Sequence, residues 1–66
     1  MKTNELRAEF TRNEKTYEDI AKLLDVSLAA IQRKVNGANE FKPSEIAILK
    51  NVLNLTPDRI DEIFYN

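Results

Sequence analysis

Three consecutive polar residues, Gln32, Arg33 and Lys34, carry side chains that can recognise or hold a nucleic acid. The guanidinium of Arg33 fits the O6 and N7 atoms of guanine, and the Gln32 amide pairs with adenine or reaches a phosphate. The surrounding stretch from Val26 to Asn39 contains no acidic residue, so it would not repel a phosphate backbone. We therefore expect base contacts from Gln32 and Arg33 and a phosphate contact from Lys34.

Neighbouring residues extend this set. Leu28 and Ala29 are expected base contacts, because an apolar side chain can touch the methyl group of thymine. The other expected phosphate contacts are Tyr17, Ser27, Asn36 and Lys42. Each polar assignment has an alternative in which the side chain is only solvated surface. The alternative for Leu28 is a role in the core or in an interface. The alternative for Tyr17 is packing on the core with its hydroxyl at the rim.

The chain contains neither cysteine nor histidine, which removes disulfides, thiolate and imidazole metal ligands and the commonest general acid or base. We expect no metal site, no cofactor and no enzymatic activity. The acidic residues are numerous, but none is forced by the pattern into a dry pocket. A charge-rich helix surface is their ordinary explanation.

The 66 residues suffice for one domain, which spans residues 1–66. A domain of this size has a small core, so dimerisation is a route to further stability. The formal net charge is −1, so bulk charge alone would not drive binding to nucleic acid. Residues 1–37 carry seven Lys or Arg against six Asp or Glu, whereas residues 38–66 carry three against five. Any basic surface must therefore be local. No long apolar run or basic leader is present, so we expect a soluble intracellular protein without a membrane partner.

Start and stop signals predict an all-α chain of five helices, since no alternating strand pattern occurs. The first three helices are expected from the Thr3 cap to about Arg12, from the Thr16 cap to Leu24 and from Leu28 to about Val35. The fourth is expected to start at Pro43 and to bear Leu53, and the fifth to follow the cap at Thr56. The expected N-caps of the first, second, third and fifth helices are Thr3, Thr16, Ser27 and Thr56. Phe41 is expected to anchor the loop before the fourth helix in the core.

Residues 16–37 predict two short helices that cross steeply at a tight turn. Ala21 is the small residue that such a crossing needs, and Ile31 and Val35 would hold the second helix against the first. The opposite face of that second helix, with Arg33, is left for solvent or a partner.

This segment resembles the helix-turn-helix of the phage repressor and Cro family, also called the XRE-like family. The residues that match or are similar to the family motif are Thr16, Glu18, Ile20, Ala21, Leu24, Val26, Ser27, Ile31, Arg33, Asn36 and Gly37. The ending LNLTPDRIDEIF is similar to small phage-encoded members, so the resemblance covers essentially the whole chain. It implies a five-helix bundle of the phage-repressor type that places residues 28–35 in the major groove of operator DNA. It also implies a transcription regulator in the bacterial cytoplasm, associated with the nucleoid.

Three positions depart from the family pattern. Asp25 stands where a turn glycine is usual, Tyr17 stands where glutamine is frequent, and residues 28–30 are less polar than a base-reading surface. Apolar exposed patches often mark protein partners. Asp25, the apolar residues 28–30 and the low overall basicity favour an alternative on the same fold, an antirepressor that binds a partner repressor and blocks it.

The last segment bears four large apolar or aromatic residues, Ile60, Ile63, Phe64 and Tyr65. They cannot all face one small core on a single helical stripe, so we expect a homodimer, at least on DNA, with Phe64 or Tyr65 between the subunits. In the alternative, Ile60, Ile63 and Phe64 close the monomer core and Tyr65 is a frayed terminal residue.

Overall fold

The computed structural model describes residues 1–65, and these residues form five α-helices and no strand. The helices are α1 (Thr3–Arg12), α2 (Tyr17–Leu24), α3 (Leu28–Val35), α4 (Pro43–Val52) and α5 (Pro57–Phe64). The predicted all-α fold with five helices is confirmed. The start of α1 differs by one residue from the predicted start, and α4 ends one residue before Leu53.

Side-chain caps fix the starts of α2, α3 and α5. Thr16 Oγ1 accepts from the Asp19 N–H at 3.1 Å, and the Asp19 carboxylate accepts from the Thr16 N–H at 2.9 Å. That backbone hydrogen bond lowers the pKa of Asp19. Ser27 and Thr56 each accept from the backbone N–H three residues later, as expected.

The predicted cap at Thr3 is wrong. Thr3 is the first residue of α1, and Lys2 stands at the cap without a side-chain hydrogen bond to the helix. The Lys2 N–H instead donates to the carbonyl of Ile63 at 2.8 Å. The start of α1 is therefore fixed by the end of α5.

The first four helices end in the same way. A backbone N–H beyond the helix donates to a carbonyl five residues earlier at 2.9 or 3.0 Å, in the pairs Lys15 to Phe10, Val26 to Ala21, Ala38 to Arg33 and Leu55 to Lys50. The residue before each donor has a positive φ, and these residues are Glu14, Asp25, Gly37 and Asn54. Three of the four turns thus use a residue with a side chain where glycine has the lowest conformational cost.

The core lies between all five helices and is almost wholly aliphatic. Its buried members are Leu6, Phe10, Ile20, Ala21, Leu24, Ile31, Val35, Phe41, Ile46, Leu49, Leu53, Leu55, Ile60 and Ile63. The predicted burial of Phe41 in the loop is confirmed. Leu53, expected within the fourth helix, directly follows α4 and is buried in the core.

An ion-pair cluster joins α1 to α5. The guanidinium of Arg59 donates to Glu9 at 2.7 Å and to Glu5 at 3.0 Å, and it also contacts Glu62. These hydrogen bonds raise the pKa of Arg59, and the one that Arg59 donates to Glu9 has the largest effect. Glu9 is nearly fully buried, so Arg59 supplies the charge that its burial requires.

α2 and α3 are joined by residues 25–27 and pack against each other. Ala21 is buried, and Val26 packs on the core from the turn. Ile31 and Val35 of α3 are fully buried. One side of α3 is consequently fixed in the core, and its other side is turned to solvent.

Candidate nucleic-acid interface

The outer side of α3 carries the four residues predicted to contact bases. Ala29, Gln32 and Arg33 are exposed, and Leu28 is 40% exposed. Ala29 and Arg33 lie opposite the buried Ile31 and Val35, and Gln32 lies at the edge of that outer side. Leu28 has the helical spacing of the buried residues but is exposed at the first position of α3. Four groups suited to base edges are thus presented together on one short, capped helix.

Leu28 is not a core residue, so the alternative in which it packs inward is wrong. Leu23 on α2 is also exposed, at 46%. The exposed residues of α2 and α3 thus include two leucines and Ala29. Such side chains suit a thymine methyl group or an apolar protein partner.

Lys34 is not placed to contact a phosphate, and this prediction is corrected. Its Nζ donates to Glu45 Oε1 at 2.8 Å and to the Glu40 carbonyl at 3.3 Å, and it lies 5.8 Å from the centroid of the Phe41 ring. The side chain is 11% exposed. Lys34 follows Ile31 by three residues, which puts it at the inward edge of α3, where α4 supplies a carboxylate.

Tyr17 and Asn36, both predicted to contact phosphates, are brought together by a third residue, Arg7 on α1. Arg7 Nε donates to the Tyr17 hydroxyl at 3.1 Å, and Arg7 Nη2 donates to Asn36 Oδ1 at 2.6 Å. Sequence reasoning missed Arg7. Its position beside the inward-facing Leu6 gave no local signal, because the contact depends on how three helices pack.

The remaining predicted phosphate contacts, Ser27 and Lys42, are both exposed. Ser27 Oγ accepts from the Ala30 N–H at 3.0 Å, which leaves its hydroxyl hydrogen free to donate. The backbone N–H of Lys42 donates to Glu45 Oε1 at 2.8 Å, so this residue is fixed at the start of α4 while its side chain stays in solvent.

Charge around the outer side of α3 is mixed. Within residues 1–65, no carboxylate lies within 4.0 Å of the Arg33 guanidinium, which is therefore a free cation. Asp25 is exposed in the preceding turn with a φ of 56°. Its carboxylate places a negative charge at one end of the same surface.

The two predicted dimer residues differ in burial. Phe64 is half-buried, and its ring packs edge-to-face on Phe41 with centroids 5.6 Å apart, so it serves the monomer fold. Tyr65 is 64% exposed. Both line an open groove of about 560 Å³ that is also bordered by Met1 and by Asn36 just beyond α3.

No family model, curated protein or solved structure matches this chain. Among residues 1–65, no group of three or more Asp, Glu, His or Cys side chains is arranged to hold a metal ion. None of the helices in that range has the length and apolar character required to cross a bilayer.

Proposed function

We propose that this chain is a helix-turn-helix transcription regulator that binds operator DNA with α3 in the major groove. The observation that carries the proposal is the exposed guanidinium of Arg33, which has no carboxylate partner among residues 1–65 and stands beside Gln32 and Ala29 on the solvent side of α3. The residues of this surface include a fork for guanine, an amide for adenine and a methyl group for thymine. The resemblance to phage repressors and Cro proteins supports the same function.

The proposed regulator acts as a repressor in the bacterial cytoplasm, on DNA of the nucleoid, and is not an enzyme. It occupies its operator as a homodimer, because one short helix covers too few base pairs for useful discrimination. In a twofold dimer, the two copies of α3 would stand about 34–36 Å apart, on successive faces of the major groove. Tyr65 is the exposed aromatic residue proposed for the contact between the subunits.

Selection from random duplexes, followed by fluorescence anisotropy on the preferred duplex, tests this function. Arg33→Ala should weaken binding to that duplex by about 1–3 kcal/mol and relax the preference at one base position. The matched control is Arg12→Ala. The side chain of Arg12 is 65% exposed, and its guanidinium is paired with Glu9 on the same helix, α1. It should change neither the preferred sequence nor its ranking.

Two outcomes would contradict the proposal. The chain would bind no duplex at low salt, even at high micromolar concentration, or Arg33→Ala would leave the base preference unchanged, as the control Arg12→Ala should. The first excludes DNA as the partner. The second excludes α3 as the element that reads the sequence.

The second candidate function is that of an antirepressor that binds a partner repressor through the same helices. The exposed leucines, Leu23 and Leu28, together with the carboxylate of Asp25, favour it. Titration of the labelled chain with repressors from the same source would then perturb the amide resonances of α2 and α3. Leu23→Ser, at an exposed leucine outside the proposed base contacts, should weaken that response and leave duplex binding unchanged.

A further inference from the structure

Arg7 connects three helices through its guanidinium group. It lies on α1, donates to the hydroxyl of Tyr17 at the first position of α2, and donates to the side chain of Asn36, which directly follows α3. The hydrogen bond to Asn36 is short, at 2.6 Å. The orientation of this cation is thus set by the packing of α1, α2 and α3 together.

The charge of Arg7 is not neutralised by the residues that hold it. Both acceptors are neutral, and within residues 1–65 no carboxylate lies within 4.0 Å of the guanidinium. Arg12 and Arg59, by contrast, are both paired with glutamates. Because an arginine is always charged in a protein and a guanidinium offers five N–H donors, Arg7 retains a full positive charge and three unused donors.

The two acceptors are themselves held in place. The ring of Tyr17 packs edge-to-face on Phe10 with centroids 5.8 Å apart. The backbone N–H of Asn36 donates to the Gln32 carbonyl at 3.0 Å and so continues the hydrogen-bonding pattern of α3. A long side chain that is already oriented loses less entropy when it binds a ligand than a free one does.

We propose that Arg7 is an anion-binding residue that takes a phosphodiester group, and that Tyr17 and Asn36 position its guanidinium for this contact. Planar guanidinium groups bind phosphate oxygens through two parallel N–H donors. Since Asn36 directly follows α3, a phosphate held at Arg7 fixes the end of α3 relative to the DNA backbone. This inference rests on the proposed function, because the phosphodiester is that of the operator.

The first arm of the test measures the salt dependence of binding to the preferred duplex for matched variants. Arg7→Gln should weaken all duplexes by a similar factor, on the order of tenfold, and reduce the slope of log K against log salt by about 0.9. Tyr17→Phe keeps the ring on Phe10 and removes only the hydroxyl, so it should weaken binding less and leave the slope unchanged. Arg12→Gln removes the same charge from another side of α1 and should change neither quantity.

The second arm uses inorganic phosphate alone, with chloride at equal ionic strength as the reference. The side-chain Nε–H resonance of Arg7 should shift with phosphate, and those of Arg12 and Arg59 should not. If the wild type binds duplex but Arg7→Gln behaves like Arg12→Gln, the Arg7 site is excluded and the proposed function stands. If no duplex binds while the Arg7 resonance responds to phosphate, DNA is excluded and the anion site stands. An absence of both responses excludes both.

Discussion

The ammonium of Lys34 and the carboxylate of Glu45 form a buried ion pair, with Nζ and Oε1 separated by 2.8 Å and both side chains about nine-tenths covered. The pair joins the last turn of α3 to the first turn of α4. Glu45 also accepts from the Lys42 N–H, and Lys34 also donates to the Glu40 carbonyl, so these two side chains hold two backbone groups of the connection between the helices. The orientation of α3 relative to α4 therefore depends on Lys34, whose side chain is buried.

Breaking this pair on one side should be costly. Lys34→Met leaves the Glu45 carboxylate buried without its opposite charge and should lower the free energy of unfolding by about 3 kcal/mol. The double variant Lys34→Met, Glu45→Met replaces both charges with apolar groups and should recover most of that loss. Urea denaturation measures both changes. A double variant less stable than Lys34→Met would show that the charges themselves, rather than their mismatch, stabilise the fold.

The same pair predicts how stability depends on pH. Burial raises the pKa of Glu45, but the hydrogen bonds from Lys34 and from the Lys42 N–H outweigh it, so the pKa of this carboxyl lies below its ordinary value of 4.5. A pKa lowered by folding stabilises the native state fully above the unfolded pKa, and this contribution is lost as the pH falls through the folded pKa. The contribution of Glu45 should thus be constant near neutral pH and disappear in acid.

Unfolding free energies of the wild type and of Glu45→Gln, measured from neutral pH into acid, test this dependence. The two curves should stay apart by a constant amount above pH 4.5 and approach each other as the pH falls through the lower pKa of Glu45 in the folded state. Asp19→Asn is the control variant, because folding also lowers the pKa of the Asp19 carboxyl. Curves for Glu45→Gln and wild type that stay parallel into acid would contradict the assignment.

The helix starts could be predicted from the sequence because a cap is a local feature. Thr16 reaches a backbone N–H only three residues away, and Ser27 and Thr56 do the same. The start of α1 was misplaced because it is fixed by Ile63, at the far end of the chain. Local pattern carries no information about that contact.

The candidate site was predictable to a similar degree. Helical periodicity correctly put Ile31 inside and Arg33 outside. Lys34 was misassigned because its partner, Glu45, comes from another helix, and charge alone does not tell a solvated lysine from a paired one. Arg7 was missed for the related reason that its two acceptors lie ten and twenty-nine residues further along the chain.

The left-handed residue between α2 and α3 predicts a stabilising substitution. Asp25 has a φ of 56°, so Asp25→Gly should raise the free energy of unfolding by about 0.5–1 kcal/mol. Removal of its charge should also strengthen duplex binding. Glu14→Gly is the matched control, because Glu14 has a φ of 55° at the end of α1. Thermal melts and anisotropy should find both variants stabilised and only Asp25→Gly bound more tightly. Equal duplex affinities would place Asp25 away from the DNA.

Substitutions of the two aromatic residues at the end of α5 should have different effects, one on stability and the other on dimer formation. Phe64→Ala removes the edge-to-face contact with Phe41 and should lower the free energy of unfolding by about 2 kcal/mol. Tyr65→Ala removes an exposed ring and should leave stability almost unchanged while it weakens dimer formation on a palindromic duplex. Sedimentation velocity with that duplex gives the stoichiometry. A 2:1 complex with the same affinity in Tyr65→Ala would remove Tyr65 from the subunit contact.

The hydrogen bond from Lys2 to Ile63 brings residues near the two ends of the described chain to one corner of the molecule. That corner borders the end of α3, because Met1 and Tyr65 line the same groove as Asn36 and Gly37. An affinity tag or fluorescent fusion attached at either end would consequently emerge beside the proposed DNA-binding surface. Binding should be measured after any tag has been removed. A reporter is better inserted in the turn after α4, near Asn54, which is exposed.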